Sequence, residues 1–378
     1  MEDRSFIIIG GGIIGMSLAW KLARNGCEVT VLEKENVGGS ATTAAAGMLA
    51  PYAEVSFEEE ALLELGKESH ILYSQFLREL SEDVANVPQI FYSGTLIAAM
   101  DRDDTERIRR LFDFKQKLDF EAEMVTGTRA REIEPLLSPR AVSAMWLPQD
   151  QHIDNRALVQ ALKKAFLKHG GVVKENTPAT GFDFGENHHT VHSPKESFNA
   201  TDIVMAAGAW SNSVSGLPDE LRIPVRPVKG QIITLQMTDE VDLQHMIRTP
   251  RIYLCPKEDG TIRIGATSEE KGFDTNPTAG GMKDLLENAW EAVPSIYDLP
   301  VTEFFGSLRP ASPDHYPMIG KTQQEGFYYA AGFYRHGILL APVTTYHLTD
   351  IILKGHISEL IRPFHPMRFN EPVHEEQG

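Results

Sequence analysis

Three glycines near the start of the chain have a spacing that suits the binding of a pyrophosphate. In the run FIIIGGGIIGMSLAW, Gly10, Gly12 and Gly15 form the pattern G-x-G-x-x-G. The first glycine of this pattern permits a tight turn, the second lets the backbone approach a pyrophosphate, and the third lets a helix pack closely on a strand. The phosphates would bind the unpaired N–H groups at the positive end of the helix dipole.

The elements around these glycines support that interpretation. Residues 6–9 predict a buried strand, residues 16–23 resume at helical spacing, and residues 28–32 predict a second strand that ends at Glu33. A carboxylate at that position can accept both hydrogen bonds of a ribose diol. The ensemble predicts a dinucleotide site, and the alternative is a glycine-rich turn beside an ordinary acidic residue.

The same apolar run could instead be the core of a secretion signal, which needs a positive start and an uninterrupted apolar helix. Here Glu2 and Asp3 outweigh Arg4, and three successive glycines interrupt the run. These features favour the strand and helix, and with them a cytoplasmic protein.

Composition agrees with a soluble enzyme of two domains. The chain has 378 residues, which exceeds the usual size of a domain with a single hydrophobic core. Its net charge of -17 argues against nucleic acid or an anionic membrane as partner. Its two cysteines, Cys27 and Cys255, are too few for a disulfide framework, and neither has a metal-site neighbourhood. We therefore expect no metal and no membrane span.

A stretch rich in small residues follows the second strand. Residues 37–54, VGGSATTAAAGMLAPYAE, have no helical or strand period. Ser40, Thr42 and Thr43 offer hydroxyl groups, while Gly47 and Met48 permit close approach to a planar or anionic group. A surface loop of small residues is the equal alternative.

The rest of the chain supplies the elements that must position these residues. Helical periodicity or capping predicts helices over residues 58–80, 105–118, 129–134 and 154–169, the last capped by Asp154. Strands are predicted over 144–147, 172–175 and 201–212, where the last delivers Gly208 and Trp210 to a turn.

A change of pattern then indicates a second domain. Residues 223–235 and 251–266 alternate in the way of antiparallel strands, unlike the βαβ pattern at the start. A strand over 326–330, a glycine-bounded turn and a helix from about Gly337 return the chain to the first sheet. After Ile361 the prolines predict a loosely ordered tail.

In order along the chain, these pieces resemble the D-amino-acid oxidase superfamily, and most closely the bacterial glycine oxidases of thiamin biosynthesis. The resemblance is carried by GGGIIG, Glu33, TTAAAGML, AAGAWS, PVKGQ, RIYLCP, RIGAT, GSLRPASPDHYPMIG and AAGFYRHGILLAP. It implies an α/β fold, α+β overall, in which a Rossmann-type FAD-binding domain carries an inserted, mostly antiparallel-sheet substrate domain. The implied FAD domain comprises residues 1–88, 149–222 and 306–362, the substrate domain 89–148 and 223–305, and the tail 363–378.

The resemblance also assigns a substrate site. Arg309 in GSLRP matches an arginine that pairs with the substrate carboxylate, Tyr253 matches a tyrosine that hydrogen-bonds it, and Arg335 matches a second arginine beside flavin and substrate. An arginine fork binds a planar carboxylate through two parallel hydrogen bonds. The alternatives are that Tyr253 is a core aromatic and Arg335 a surface cation.

Three further residues would line the substrate pocket, namely Ala50, Arg251 and Ser268. Arg251 stands where the family leads us to expect a histidine, and Ser268 stands where a larger apolar residue such as methionine is expected. These departures leave the substrate range open among glycine, sarcosine, D-alanine and anionic analogues such as glyphosate.

The residues implied for non-covalent FAD are Gly10, Gly12, Ile13, Ile14, Gly15, Glu33, Lys34, Ala41, Thr42, Thr43, Ala46, Gly47, Met48, Ala179, Gly208, Trp210, Gly332, Tyr334, Arg335, His336, Gly337, Ile338 and Leu339. The segment 311–319 lacks the cysteine that relatives with attached flavin use. The implied reaction moves hydride from Cα to flavin N5, releases ammonia and an α-keto acid, and returns electrons to O2 as peroxide. The family further implies a homotetramer. Two alternatives remain: a dehydrogenase that reduces another acceptor such as a membrane quinone, and a flavin-bound protein without catalysis.

Overall fold

The computed structural model describes residues 4–54, 59–116 and 121–369. Its helices, numbered in chain order, are α1 (Ile13–Arg24), α2 (Ala41–Ala44), α3 (Pro51–Glu54), α4 (Glu60–Asp83), α5 (Arg102–Gln116), α6 (Gly127–Ile133), α7 (Asn155–Lys168), α8 (Ala279–Ala292) and α9 (Ala341–Lys354). Its strands are β1 (Ser5–Ile9), β2 (Glu28–Leu32), β3 (Met48–Leu49), β4 (Ile90–Phe91), β5 (Thr95–Ala99), β6 (Glu123–Thr126), β7 (Ser143–Leu147), β8 (Gln151–Ile153), β9 (Val172–Lys174), β10 (Gly181–Phe184), β11 (His189–His192), β12 (Ser197–Ala200), β13 (Asp202–Met205), β14 (Arg226–Gln236), β15 (Met246–Arg248), β16 (Tyr253–Pro256), β17 (Thr261–Gly265), β18 (Val301–Ala311), β19 (Met318–Lys321) and β20 (Phe327–Ala331).

A six-stranded sheet in the order β19-β20-β13-β1-β2-β9 carries the glycine-rich turn. Strand β1 lies between β13 and β2 and pairs with both in parallel. Its apolar run is unbroken because both faces are covered. Phe6 and Ile8 lie in a core cluster with side chains of α1, α4, α7 and α9. Ile7 and Ile9 lie in a second cluster, on the side of β10 and β11.

A second, eight-stranded sheet has the order β18-β14-β17-β16-β15-β5-β7-β6. Its pairs are antiparallel, with the exception of β15 and β5, which run in parallel. Helix α8 covers one face, where Leu285 joins Ile233 and Ile264 in a core cluster. The six-stranded sheet is parallel except for its edge pair β19 and β20. This mostly parallel sheet with helices, joined to a mostly antiparallel sheet, confirms the predicted fold class. Two three-stranded sheets, β10-β11-β12 and β3-β8-β4, complete the architecture.

The predicted domain boundaries stay a prediction. The strands of the parallel sheet come from the three segments assigned to FAD binding. Strand β18, however, runs from Val301 to Ala311 and therefore crosses the predicted boundary between residues 305 and 306.

Several local predictions can be compared with the structure. Helix α7 is capped as expected, since Asp154 Oδ1 accepts the backbone N–H groups of Arg156 and Ala157, each at 2.9 Å. Helix α9 begins at Ala341 rather than at about Gly337, because Pro342 lacks an N–H group and suits only the first helical turn. The predicted limits Glu58 and Leu118 lie outside the described residues.

Two stretches that lack a regular period in the sequence have defined structure where they are described. The prediction of a loosely ordered tail is wrong as far as residue 369, and residues 370–378 lie outside the described residues. Residues 37–54 contain the short elements α2, β3 and α3. The segment after Ile361 packs on the core as far as it is described, since Phe364 and Met367 are buried. Arg368 also forms an ion pair with Asp314, at 2.8 Å between Nε and Oδ2. The apolar side chains between the prolines pack against the core, and the prediction from proline content did not take them into account.

Candidate active site

One cavity of about 1100 Å³ runs from the glycine-rich turn to the antiparallel sheet. Gly10, Gly12 and Glu33 line one end, and Tyr253 and Arg309 line the other. The volume exceeds what a small amino acid needs and suits an extended cofactor together with a substrate. The structure thus joins the two sites that the sequence predicted separately.

The first end of the cavity is the N-terminus of α1. Gly12 is its N-cap and has φ of -74°, with no side-chain cap and no acidic residue in the first turn. The N–H of Ile13 donates to Thr42 Oγ1 at 2.9 Å, while the first turn leaves other N–H groups, such as that of Ile14, without intrahelical acceptors. This arrangement favours an anion.

The three glycines of the turn differ in what surrounds them. Gly10 has φ of +111°, and a Cβ there would lie 2.4 Å from the carbonyl oxygen of Ala206. A Cβ on Gly15 would lie 2.0 Å from the carbonyl oxygen of Gly10. A Cβ on Gly12 would meet only Thr42 Oγ1, at 3.4 Å, which is an ordinary contact. Gly10 and Gly15 are therefore required by packing, whereas Gly12 keeps the cavity open.

Glu33 lies at the end of β2, with its side chain half-buried at the cavity. Its Oε2 accepts the N–H of Gly11 at 2.7 Å and its Oε1 accepts the N–H of Glu35 at 2.9 Å. Each carboxylate oxygen keeps a further lone pair for a hydroxyl donor. The ribose contact stays a prediction that this geometry permits.

The loop over residues 41–48 is fixed from behind by side chains that the sequence analysis did not identify. Asn155 Nδ2 donates to the carbonyl oxygen of Thr42. Arg156 Nε and Arg263 Nη1 both donate to the carbonyl oxygen of Thr43, each at 3.2 Å. These donors come from α7 and β17, so only the tertiary structure brings them to the loop.

Arg309 lies on β18 and faces the other end of the cavity. Its Nη1 donates to the carbonyl oxygen of Thr267 at 3.0 Å. Among residues 4–54, 59–116 and 121–369, no carboxylate forms an ion pair with Arg309. Burial is the main cause that lowers the pKa of this guanidinium. A cation that faces a cavity and is not in a direct ion pair is suited to an anionic ligand.

Tyr253 lies on β16, opposite Gly265 of β17. Burial raises the pKa of Tyr253 to about 12, so the phenol is neutral at physiological pH and can donate a hydrogen bond. In the described part of the chain its hydroxyl has no hydrogen-bond partner of its own.

Two glycines beneath these side chains were missed. A Cβ on Gly265 would lie 2.2 Å from Tyr253 Oη, and a Cβ on Gly230 would lie 2.6 Å from Arg309 Nη2. Both glycines stand inside strands, β17 and β14, where glycine is unfavourable unless another group approaches closely. The glycines in the strand-like motifs PVKGQ and RIGAT could therefore have predicted that another group packs closely against these strands.

Arg335 also lines the cavity, but its side chain is exposed. Its guanidinium stacks on the ring of Tyr334, 4.9 Å from the centroid, and its Nη2 donates to Tyr334 Oη at 3.1 Å. Arg251 and Ser268 are exposed and line the cavity too, and Arg251 Nη1 donates to Asn288 Oδ1 at 3.4 Å.

A buried ionic cluster at the cavity was not anticipated. Glu54, at the end of α3, accepts Arg248 Nη1 at 2.9 Å through Oε1, and its Oε2 lies 3.4 Å from His336 Nδ1. Burial alone would raise the pKa of Glu54, but the hydrogen bond from His336 and the charge of Arg248 lower it to about 2. Nothing in the local sequence of Glu54 indicates this role, because its partners come from distant segments.

The structure divides the other predicted residues into two groups. Those that line the cavity are Ile13, Ile14, Lys34, Ala41, Thr42, Ala46, Gly47, Met48, Ala179, Gly208, Trp210, Tyr334, Gly337 and Ile338. Those that lie behind the lining are Gly15, Thr43, Ala50, Gly332, His336 and Leu339. Ala50 packs in a core cluster, Gly332 has φ of +76° beside Met318, and His336 turns toward Glu54. These six shape the site indirectly, as their packing leaves no face toward the cavity.

Comparisons with known sequences and structures identify the family of this chain. The family model described as FAD dependent oxidoreductase matches residues 5–351. The chain belongs to this family. FAD is accordingly the cofactor of this FAD-dependent oxidoreductase, and the helix N-terminus at Gly12, the carboxylate of Glu33 and the cavity volume of about 1100 Å³ fit it.

Individual relatives agree with the family. The chain is 32% identical to the bifunctional protein ThiO/ThiG of Trichormus variabilis over 97% of its own length and 55% of that protein, so it spans about half of this relative. It is 29% identical to glycine oxidase from Geobacillus kaustophilus, covering 94% of the chain and 95% of the relative. The crystal structure of that glycine oxidase superposes with a TM-score of 0.91, over 97% of this chain and 99% of the other.

Residues 4–54, 59–116 and 121–369 contain neither a candidate metal site nor a candidate membrane span. No group of three or more His, Cys, Asp and Glu side chains there is arranged to hold a metal ion. None of the helices within these ranges is both long and apolar enough to cross a membrane.

Proposed function

We propose that this FAD-dependent oxidoreductase uses O2 and water to oxidise glycine, and with it small amino acids such as sarcosine and D-alanine, to the α-keto acid and hydrogen peroxide. Glycine and D-alanine release ammonia, and sarcosine releases methylamine. The observation that carries the proposal is the Arg309 guanidinium, which faces the cavity and forms no ion pair with any carboxylate of the described residues. The similarity to glycine oxidases over most of both chains supports it. The similarity to ThiO/ThiG supports a role in supplying the glycine imine for thiamin thiazole synthesis.

The protein's contribution is to bind and orient the amino acid. Arg309 holds the carboxylate through a planar fork, and the neutral hydroxyl of Tyr253 donates a third hydrogen bond to it. This fixes the direction of the Cα–H bond. FAD, when bound, supplies the acceptor for the hydride that leaves Cα.

The titratable groups near the carboxylate site argue against a protein base at neutral pH. Burial raises the pKa of Tyr253 to about 12, and the contacts with His336 and Arg248 lower the pKa of Glu54 to about 2, so near pH 7 the phenol is protonated and the carboxylate is ionised. The amino group must therefore lose its proton before its lone pair can help to break the Cα–H bond. No general base is part of the proposal.

The FAD is proposed to be non-covalent and the acceptor to be O2, in a cytoplasmic homotetramer. Neither of the two cysteines lines the cavity, which supports the absence of a thioether link.

The test is anaerobic mixing of the purified yellow protein with glycine, followed by air. The expected result is bleaching of the flavin absorbance, then recovery of colour with release of one peroxide for each flavin reoxidised. Bleaching without recovery in air would indicate a dehydrogenase with another acceptor. No bleaching with glycine, sarcosine or D-alanine would refute the proposal.

A further inference from the structure

The carboxylate site leaves the other end of an amino acid to be explained. A free amino acid near neutral pH carries an ammonium group one carbon away from its carboxylate. Arg309, Arg335 and Arg248 all line the cavity and would repel that ammonium. A zwitterion therefore needs a nearby negative charge to offset its burial among cations.

Glu33, Glu54, Glu269 and Asp284 are the described carboxylates that line the cavity, and of these Glu54 is the buried one. It lines the same cavity as Tyr253 and Arg309 and is only 7% exposed. Its field reaches both groups. Burial is the main cause that raises the pKa of Tyr253, and Glu54 adds to it; Glu54 also supports the charged form of Arg309. Among the described residues, the charged and titratable groups that face Glu54 are Arg248, His336 and Arg335.

The contacts of Glu54 leave room for another donor. Arg248 Nη1 lies 2.9 Å from Oε1, whereas the contact recorded for Oε2 among the described residues is the longer one of 3.4 Å with His336 Nδ1. A carboxylate oxygen has two lone pairs, so both oxygens retain acceptor capacity. The ion pairs also fix the carboxylate in place, because they tie α3 to β15 and to the turn after β20.

We propose that Glu54 is a specificity-determining residue that recognises the ammonium group of the amino acid, opposite the Arg309 carboxylate site. This inference rests on the proposed function, since it assumes an amino-acid substrate. It adds a second recognition point, so that the cavity selects zwitterions over simple carboxylates.

A pair of ligands of nearly equal shape tests the inference without turnover. 2-Aminoisobutyrate and pivalate differ by an ammonium in place of a methyl group, and neither has a hydrogen on Cα that could be oxidised. Their dissociation constants are measured on the FAD-loaded enzyme from the perturbation of the flavin spectrum. The quantity of interest is the preference, defined as the pivalate constant divided by the 2-aminoisobutyrate constant.

Glu54→Gln should reduce this preference about tenfold or more, the effect expected when an opposite charge at short range is lost. Arg248→Gln should increase the preference, because it removes a cation that competes for Glu54. The matched control is Asp284→Asn, an exposed acid that lines the cavity on α8, which should leave the preference within about twofold.

Weakening of both ligands by one common factor in Glu54→Gln would show a structural role and overturn the inference. A wild-type enzyme with no preference for 2-aminoisobutyrate would overturn it as well. If Glu54→Gln does not bind FAD, the test depends on Arg248→Gln: an increased preference for 2-aminoisobutyrate supports the inference, and an unchanged or decreased preference overturns it. Failure of the proposed function is visible separately, as an absence of flavin bleaching by glycine, while the preference remains measurable.

Discussion

Replacement of Arg309 by alanine is the most direct test of the carboxylate site. The guanidinium already donates one hydrogen bond to the carbonyl oxygen of Thr267, and its other N–H groups remain for a ligand. Because Arg309 lies on the cavity side of β18 above Gly230, its loss should open space without disturbing the pairing of β14 with β18. The variant should therefore fold and retain FAD.

The expected loss follows from the chemistry of a buried charge pair. Removal of one partner costs about 3–5 kcal/mol, because the other charge stays uncompensated in the cavity. At about 1.4 kcal/mol for each factor of ten, kcat/KM for glycine should fall by roughly two to four decades. Arg309→Lys should recover only part of the activity, since an ammonium cannot form the planar two-bond contact.

The assay is anaerobic flavin reduction in a stopped-flow instrument, with two controls. Arg110→Ala removes an exposed arginine of α5 that does not line the cavity, and should cost no more than about 1 kcal/mol. A simple amine without a carboxylate never forms the ion pair, so its slow reduction should change much less in Arg309→Ala. Equal slowing of glycine and this amine would refute the assignment of Arg309 to the carboxylate.

The phosphate turn and the buried acid give three further predictions. Gly12→Val should fold but lose FAD, since its side chain enters only the cavity, whereas Gly15→Val should fail to fold because its Cβ would lie 2.0 Å from a carbonyl oxygen. Thermal unfolding together with flavin titration distinguishes the two variants. A Gly12→Val protein that still binds FAD and is yellow would contradict the assignment of the turn to the pyrophosphate. Glu33→Ala should weaken FAD binding by about 1–3 kcal/mol as charged hydrogen bonds to the ribose are lost, and unchanged affinity by calorimetry would exclude that contact. Because the pKa of Glu54 is lowered from 4.5 to about 2, its contribution to the free energy of unfolding is present above pH 4.5 and is lost as the pH falls toward 2. The free energy of unfolding of Glu54→Gln, measured with denaturant, should therefore fall less steeply than that of the wild type between pH 4.5 and pH 2. Equal slopes for the two proteins would disprove the ion pairs.

The parts of this protein that the sequence alone determined are local. The strand, turn and helix around Gly10 and Gly15 could be predicted because the required residues are contiguous and because their steric reasons act within one turn. The buried strand β1 was predictable since its unbroken apolar run implies cover on both faces. The resemblance of ordered motifs then supplied the fold class and the positions of Arg309 and Tyr253.

Tertiary structure alone decided which side chains meet at the substrate end. Glu54, Arg248 and His336 lie on α3, on β15 and after β20, and no local pattern links them. The same holds for Ala50, which stands beside the cofactor loop in the sequence but faces a core cluster. Spacing along a chain fixes contacts within an element, whereas contacts between elements depend on how sheets and helices pack. The charges that meet in the cavity depend on contacts between elements, so the sequence alone could not predict them.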